Sequence, residues 1–281
     1  MIVFAKRNLK LYFRNKIAVL FSLLAVFIII GLYALFLGDV WLDNSMGIKH
    51  PELLMNTWLI AGIMAVASTT TTMGAFGIMV EDKAKKIYKD FYSSPITRAN
   101  VTGGYLAAAF MIGVLMSLAA LAIGQIFIIT EGGELLGLET SIKVLGLILL
   151  NTVTNTAMVG FIVSFFNNQN SFSTASTIVG TLIGFLTGIY LPIGNLPEAA
   201  QYVVKLFPPS HGAALFRQVM LEQPIGITFS GIPLEQLESF KEYAGVIYSF
   251  GGHTVTPVGS VAILAGTAVL FYLLSIWNMS R

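Results

Sequence analysis

Few residues in this 281-residue chain could carry covalent chemistry, and those few are badly spaced for it. There is no cysteine, which removes thiol nucleophiles, disulfides and thiolate metal sites. The three histidines, His50, His211 and His253, lie far apart in sequence and show no metal-ligand spacing. Ser210 precedes His211 directly, but adjacent side chains point apart on a helix, so the pair lacks the reach a nucleophile and its base require. No Gly-rich phosphate loop ending in Gly-Lys-Ser or Gly-Lys-Thr is present, so the chain does not bind ATP in that way. The expectation is therefore no catalytic residue, no metal site and no cofactor of its own, and a protein that is not an enzyme.

What the chain does have is one concentrated block of charge. Glu81 to Arg98, EDKAKKIYKDFYSSPITR, holds Glu81, Asp82, Lys83, Lys85, Lys86, Lys89, Asp90 and Arg98 between two long apolar segments. Such a block is too costly to place in hydrocarbon and is expected to face water. Its basic excess assigns it to the cytoplasmic side. It reads as a handle through which something in the cytoplasm moves a membrane part.

The rest of the composition supplies that membrane part. Hydrophobic residues make up 56% of the chain and charged ones 11%, with a net charge of +2, whereas a soluble domain carries roughly 25% charged residues. The balance predicts an all-α polytopic membrane protein, 1–281 forming a single transmembrane domain, with nucleic acid excluded as a partner. Six stretches, uncharged but for Lys143 opening the fourth, are long enough to cross about 30 Å of hydrocarbon: 17–38, 53–80, 101–130, 143–166, 172–191 and 257–279. Before them, 1–16 places Lys6, Arg7, Lys10 and Arg14 on one helical face. It reads either as an amphipathic interfacial helix or as a basic segment that orients the first span. Asp39, Asp43, Lys49 and Glu52 mark a short outer loop. Eleven of the 16 Lys and Arg residues fall in the N-terminal arm, the central block and the tail, which puts both termini inside. A short chain without an organelle signal points to a prokaryotic plasma membrane.

Uncharged polar groups recur within the spans. Ser68 to Thr72 is a run of five hydroxyls, read either as a kink through bonds to their own helix carbonyls or as a polar patch facing a cavity or another helix. Asn151 and Asn155 are one turn apart on one face, as interhelical partners or as ligand contacts. Candidate lining residues for a passage are Thr69, Thr72, Asn151, Asn155, Ser173 and Thr177, mixed with Met73, Phe76 and Phe185. Such a lining suits an amphipathic or lipid-like cargo better than an ion or a sugar. No ionisable side chain lies deep in these spans, which argues against ion-coupled transport.

Between the fifth and sixth spans the pattern breaks. Residues 192–256 contain two apolar pieces, 196–207 and 212–221, too short to cross and bounded by Pro192, Pro197, Pro208 and Pro209. They are expected to be two re-entrant helices at an outer mouth, where Arg217 is either an anchor to helix carbonyls or a contact for anionic cargo. The remainder, 222–256, reads as a loop-like external cap.

Three places resemble the permease subunits of ABC-2 type (type V) exporters. These are Ser94-Pro95-Ile96-Thr97-Arg98, Tyr190-Leu191-Pro192-Ile193 with Leu196-Pro197, and Phe207-Pro208-Pro209-Ser210-His211 leading to Leu215-Phe216-Arg217. The third departs from the family's commoner Asn-Pro pair. The resemblance implies an N-terminal helix on the inner surface, a coupling helix that docks on an ATP-binding subunit, and re-entrant helices at the exit. It also implies two permeases, identical or not, with two ATPases that hold ATP and Mg. Carried onto this chain, the coupling helix is about 81–92. Its coupling residues are Glu81, Ile87, Tyr88, Phe91 and Tyr92, with Ser94, Pro95 and Arg98 closing the region. The cargo class is a drug, lipid-like molecule or peptide. An ATP-independent carrier or channel is the competing reading, and a sensory or scaffold membrane protein the third.

Overall fold

A computed structural model describes residues 1–33, 50–93 and 95–280. The outer-loop residues Asp39, Asp43 and Lys49, the end of the first expected span, and Ser94 lie outside the described residues. The fold is almost wholly helical. Its elements run α1 (Ile2–Arg14), α2 (Lys16–Leu32), α3 (Pro51–Ala84), α4 (Tyr88–Tyr92), α5 (Arg98–Thr130), α6 (Leu138–Ser164) and α7 (Gln169–Leu186). They continue with α8 (Glu198–Leu206), α9 (Pro208–Met220), α10 (Glu222–Thr228), α11 (Leu234–Tyr243), a two-residue antiparallel hairpin of β1 (Ser249–Phe250) and β2 (His253–Thr254), and α12 (Pro257–Ser280).

Helices α3, α5, α6 and α12 are each long and apolar enough to cross a membrane, and α1 with α2, bent by 77° between them, adds a fifth candidate if the pair is one span. Helix α7, expected within the fifth span, is not among them, because its first half is rich in hydroxyl and amide side chains. It ends at Leu186, where Thr187 caps its last turn and Gly188 adopts a φ of 65°.

Helix α3 is the axis of the fold. It is apolar on nearly every side, and a helix of that kind must be buried all round. The described chain obliges, burying 78% of the apolar window of α3 against 22% of that of α12. Helices α5, α6 and α9 pack most extensively on it, with α7 and α2 beyond. Close approach is permitted by missing side chains: a Cβ at Gly113 would lie 2.7 Å from Thr152 and 2.8 Å from Thr72.

Local chemistry sets the helix ends. Asn15 closes α1 with its backbone N–H, which reaches Leu11 O and Tyr12 O, and opens α2 with its side chain, which accepts from Ala18 N at 3.1 Å. Asn168 accepts from Ser171 N at the start of α7, and Pro51 stands in the first turn of α3.

Two expectations about the shape are corrected. The coupling segment 81–92 is not one helix. Helix α3 runs on to Ala84 and stops in a left-handed cap at Lys86 (φ 61°), with Ile87 N donating to Asp82 O and Lys86 N to Lys83 O. The separate five-residue helix α4 follows. The stretch 222–256 is not loop-like either: Pro224 sits in the first turns of α10 and Pro233 directly precedes α11, positions where proline favours a helix start.

Candidate functional site

The charged block is built around a buried carboxylate. Asp82 lies in the last turn of α3, where an acidic side chain faces the unfavourable end of the helix dipole, and it is only 3% exposed. Arg7 of α1 compensates it with two parallel bonds, Nη1 to Oδ2 at 2.8 Å and Nη2 to Oδ1 at 3.0 Å. The Tyr105 hydroxyl of α5 donates to the same carboxylate at 2.6 Å. The hydrogen bond to Asp82 raises the Arg7 pKa above its ordinary value, against a burial that lowers it.

Aromatic rings close this hub and tie α4 to it. The Arg7 guanidinium stands 5.1 Å from the Phe91 ring centre and 5.5 Å from that of Phe4, within cation–π range. Phe4 meets both Phe91 and Tyr105 edge to face at 4.9 Å. Four elements, α1, α3, α4 and α5, therefore converge on one ion pair. Lys83, next in sequence, donates to Ser164 O at 3.0 Å at the end of α6, a cation where the helix dipole favours it.

Among the expected coupling residues, Phe91 faces inward to this hub. Ile87 and Tyr88 are half-buried, while Glu81, Pro95 and Arg98 are exposed, with Glu81 pairing Lys85 at 2.5 Å. That pair raises the Lys85 pKa through the hydrogen bond from its ammonium to Glu81. The side chain of Tyr92 lies outside the described residues. The expectation that every charge in 81–98 faces water fails at Asp82, because its partner comes from residue 7.

A second polar cluster lies at mid-helix. Ser68 accepts from Asn151 Nδ2 at 2.8 Å and from Asn155 Nδ2 at 2.7 Å, and Asn151 Nδ2 also reaches Ala65 O at 3.1 Å. Thr71 and Thr72 bond back to Ala67 O and Ser68 O, each at 2.7 Å. Both readings of the hydroxyl run thus apply, to different members of it. The expected lining residues Thr69, Thr72, Met73, Phe76, Asn151 and Asn155 are all buried inside the chain. They seam α3 to α6 and fill the core, and they line no open passage in this structure. The reason is packing: α9 closes over the seam, with Gly212 so near Asn151 that a Cβ there would sit 2.4 Å from its Oδ1. Ser173, Thr177 and Phe185 are different, lying exposed along α7, where Thr177 bonds back to Ser173 O at 3.0 Å.

At the opposite end of α3, Arg217 of α9 is fully buried and bonds no carboxylate among the described residues. Its Nη2 donates to Gly188 O at 2.8 Å and its Nη1 to Gly245 O at 3.4 Å, and its guanidinium lies 4.5 Å from the Trp58 ring centre. Trp58 Nε1 donates to Ala244 O at 2.8 Å. These are the contacts of an anchor. Pro192 and Pro209 are buried and Pro197 exposed. His211 is held between Ser260 Oγ, 3.1 Å from Nδ1, and Lys205 O, 2.9 Å from Nε2. No group of three metal-binding side chains occurs among the described residues.

The sequence reading missed Phe4, Arg7, Asp82 and Tyr105 as a unit. One signal was present: an acidic residue in the last turn of a long apolar helix calls for a cation nearby. Nothing in the sequence says which one.

The family model of the ABC-2 type transporters matches residues 1–221, which takes in α1 to α9. Nodulation protein J of Rhizobium leguminosarum bv. viciae is 26% identical over 180 residues, covering 64% of this chain and 66% of that protein. Nodulation protein J of Rhizobium meliloti (strain 1021) is 25% identical over 170 residues, 60% of this chain and 63% of that protein. The chain thus spans slightly less than two thirds of the length of each of these relatives. An almost wholly helical apolar bundle, a charged hub at one end of its central helix and a family match over most of the chain agree: the protein belongs to the ABC-2 type transporter family, as a membrane permease.

Proposed function

We propose that this chain is the membrane subunit of an ATP-driven exporter, working with a separate ATP-binding subunit that holds ATP and Mg. The observation that carries the reading is the tie between α4 and the hub. A partner that displaces α4 pulls Phe91, and through Arg7 and Asp82 it pulls α1 and the end of α3. The exposed charges Lys89 and Asp90 on α4 supply a docking surface beside the half-buried Tyr88.

In this reading the charged hub is cytoplasmic, both termini are inside, and the chain crosses a bacterial plasma membrane six times with α2 and α7 among the crossings. The bacterial source of the two relatives supports that setting. Helices α8 and α9 are the re-entrant pair at the outer mouth, under a cap of α10, α11 and the hairpin. The passage forms against a second permease, identical or not, along the exposed face of α7. That face mixes hydroxyls already satisfied by their own helix with Ile178, Leu182 and Phe185, so it presents no unpaired charge and suits an amphipathic or lipid-like cargo, such as a drug or peptide with an apolar face.

The test is isolation of the tagged protein from its native membrane, with its companions identified by mass spectrometry. A stoichiometric ATP-binding subunit is expected, lost in the double variant Lys89→Ala/Asp90→Ala while yield and thermal unfolding stay unchanged. A folded preparation with no such subunit overturns the reading in favour of an ATP-independent carrier or channel.

A further inference from the structure

Away from the hub, an apolar groove of about 450 Å³ runs between α5, α6 and α12, walled by Leu106, Phe110, Val153, Ala268, Val269 and Leu273, with Met1 at one end. It lies within the apolar stretches of three membrane-crossing candidates. Its surroundings are bare: Val153, Val269, Leu270, Tyr272 and Leu273 are all among the exposed large hydrophobic residues. A groove so walled offers water few partners, chiefly the hydroxyls of Thr156 and Tyr272.

No charged side chain among the described residues lines the groove itself, but cations lie on α1 beyond its end. Met1, which precedes α1, lies on Gly103, where a Cβ would meet its sulfur at 2.9 Å. The same helix turns Lys6, Lys10 and Arg14 outward, spaced four residues apart, with Lys6 about 7.5 Å along the axis from Met1. A cation beside a narrow apolar slot matches a molecule with an anionic head and a thin hydrocarbon tail.

We infer that a single anionic phospholipid occupies this groove, one acyl chain between α5, α6 and α12 and its headgroup at the lysine stripe of α1. This site is independent of the export reading and requires only that the helices stand in a membrane. It fills the flank of α12, the least buried of the four crossing candidates, and links that helix to the interfacial arm through a lipid rather than through side chains.

The test uses vesicles of phosphatidylcholine and phosphatidylglycerol in equal parts, each lipid supplied in turn as an analogue with a photoactivatable acyl chain. Crosslinked peptides of the full-length protein are then mapped. The expected result is crosslinking by the phosphatidylglycerol analogue concentrated in 103–110, 153–157 and 268–273. Filling the groove by Ala107→Phe should lower it about tenfold, equivalent to ~1.4 kcal/mol of binding, and Lys6→Glu should lower it for the anionic analogue alone. Ala268→Leu fills the groove from the opposite wall, and thermal unfolding of both filled variants separates lost lipid from lost fold. Crosslinks spread evenly over the exposed faces of α2, α7 and α12 overturn the proposal. So do a folded Ala107→Phe variant that crosslinks like wild type, equal capture of both analogues, or displacement of the lipid by a second copy of the chain.

Discussion

Arg7 and Arg217 stand at opposite ends of α3 and solve the burial of a guanidinium in opposite ways. Arg7 keeps 31% of its side chain exposed and faces a carboxylate, Asp82. Arg217 has no exposure and is held by two backbone carbonyls and the face of Trp58. An ion pair at the edge of the bundle can be opened from one side, because water is at hand to solvate the part-exposed Arg7 while Tyr105 still donates to the buried Asp82 carboxylate. A cation wrapped in carbonyls cannot leave without stripping every bond it makes. The two ends of α3 are therefore held in different ways, one by a pair that can be opened and the other by a buried anchor.

The comparison can be broken most severely at the fixed end. Arg217→Leu leaves the carbonyls of Gly188 and Gly245 unpaired and should destabilise the protein by about 3 to 5 kcal/mol, read as lost yield and an early thermal transition in detergent. Arg217→Lys should rescue little, since an ammonium cannot span both carbonyls and stack on Trp58. At the hub, Arg7→Ala strands the Asp82 carboxylate and should cost roughly 2 to 3 kcal/mol, less than a fully buried pair broken on one side because Arg7 is part-exposed. Asp82→Ala added to Arg7→Ala should return part of that loss in a double-mutant cycle. If the two ends cost the same, the contrast drawn above is wrong. In the seam, Ser68→Ala deprives both Asn151 and Asn155 of their shared acceptor and should cost about 1 to 2 kcal/mol, measured by chemical unfolding. The smallest effect is expected at Lys86, whose positive φ a glycine adopts without strain. Lys86→Gly should stabilise by up to about 1 kcal/mol, with a longer-lived α3–α4 junction by hydrogen exchange at Ile87.

Helix boundaries were the more legible part. The long uncharged stretches returned as α3, α5, α6 and α12, and the proline-bounded pieces after residue 192 as α8 and α9, because length, hydropathy and proline act locally. Asn151 and Asn155 likewise met another helix, as their shared face suggested. The hub was not legible. Its members stand at positions 4, 7, 82, 91 and 105, and only folding brings them together. The packing of the hydroxyl run was not legible for a related reason: hydroxyls at Thr69 and Thr72 look alike whether they face a cavity or their own backbone. What decides is α9, a short helix far along the chain whose Gly212 closes over the seam.

The shared residue between α1 and α2 has a mechanical meaning. Asn15 finishes one helix and starts the next, and the Tyr12 hydroxyl donates to Ser22 Oγ at 2.9 Å across the joint. Such a corner, fastened on its inner side, behaves as an elbow with a fixed angle rather than as a hinge. Any tilt imposed on α1 through Arg7 is then carried into α2 as a rotation, so α2 becomes the long arm of a lever whose short arm lies on the hub.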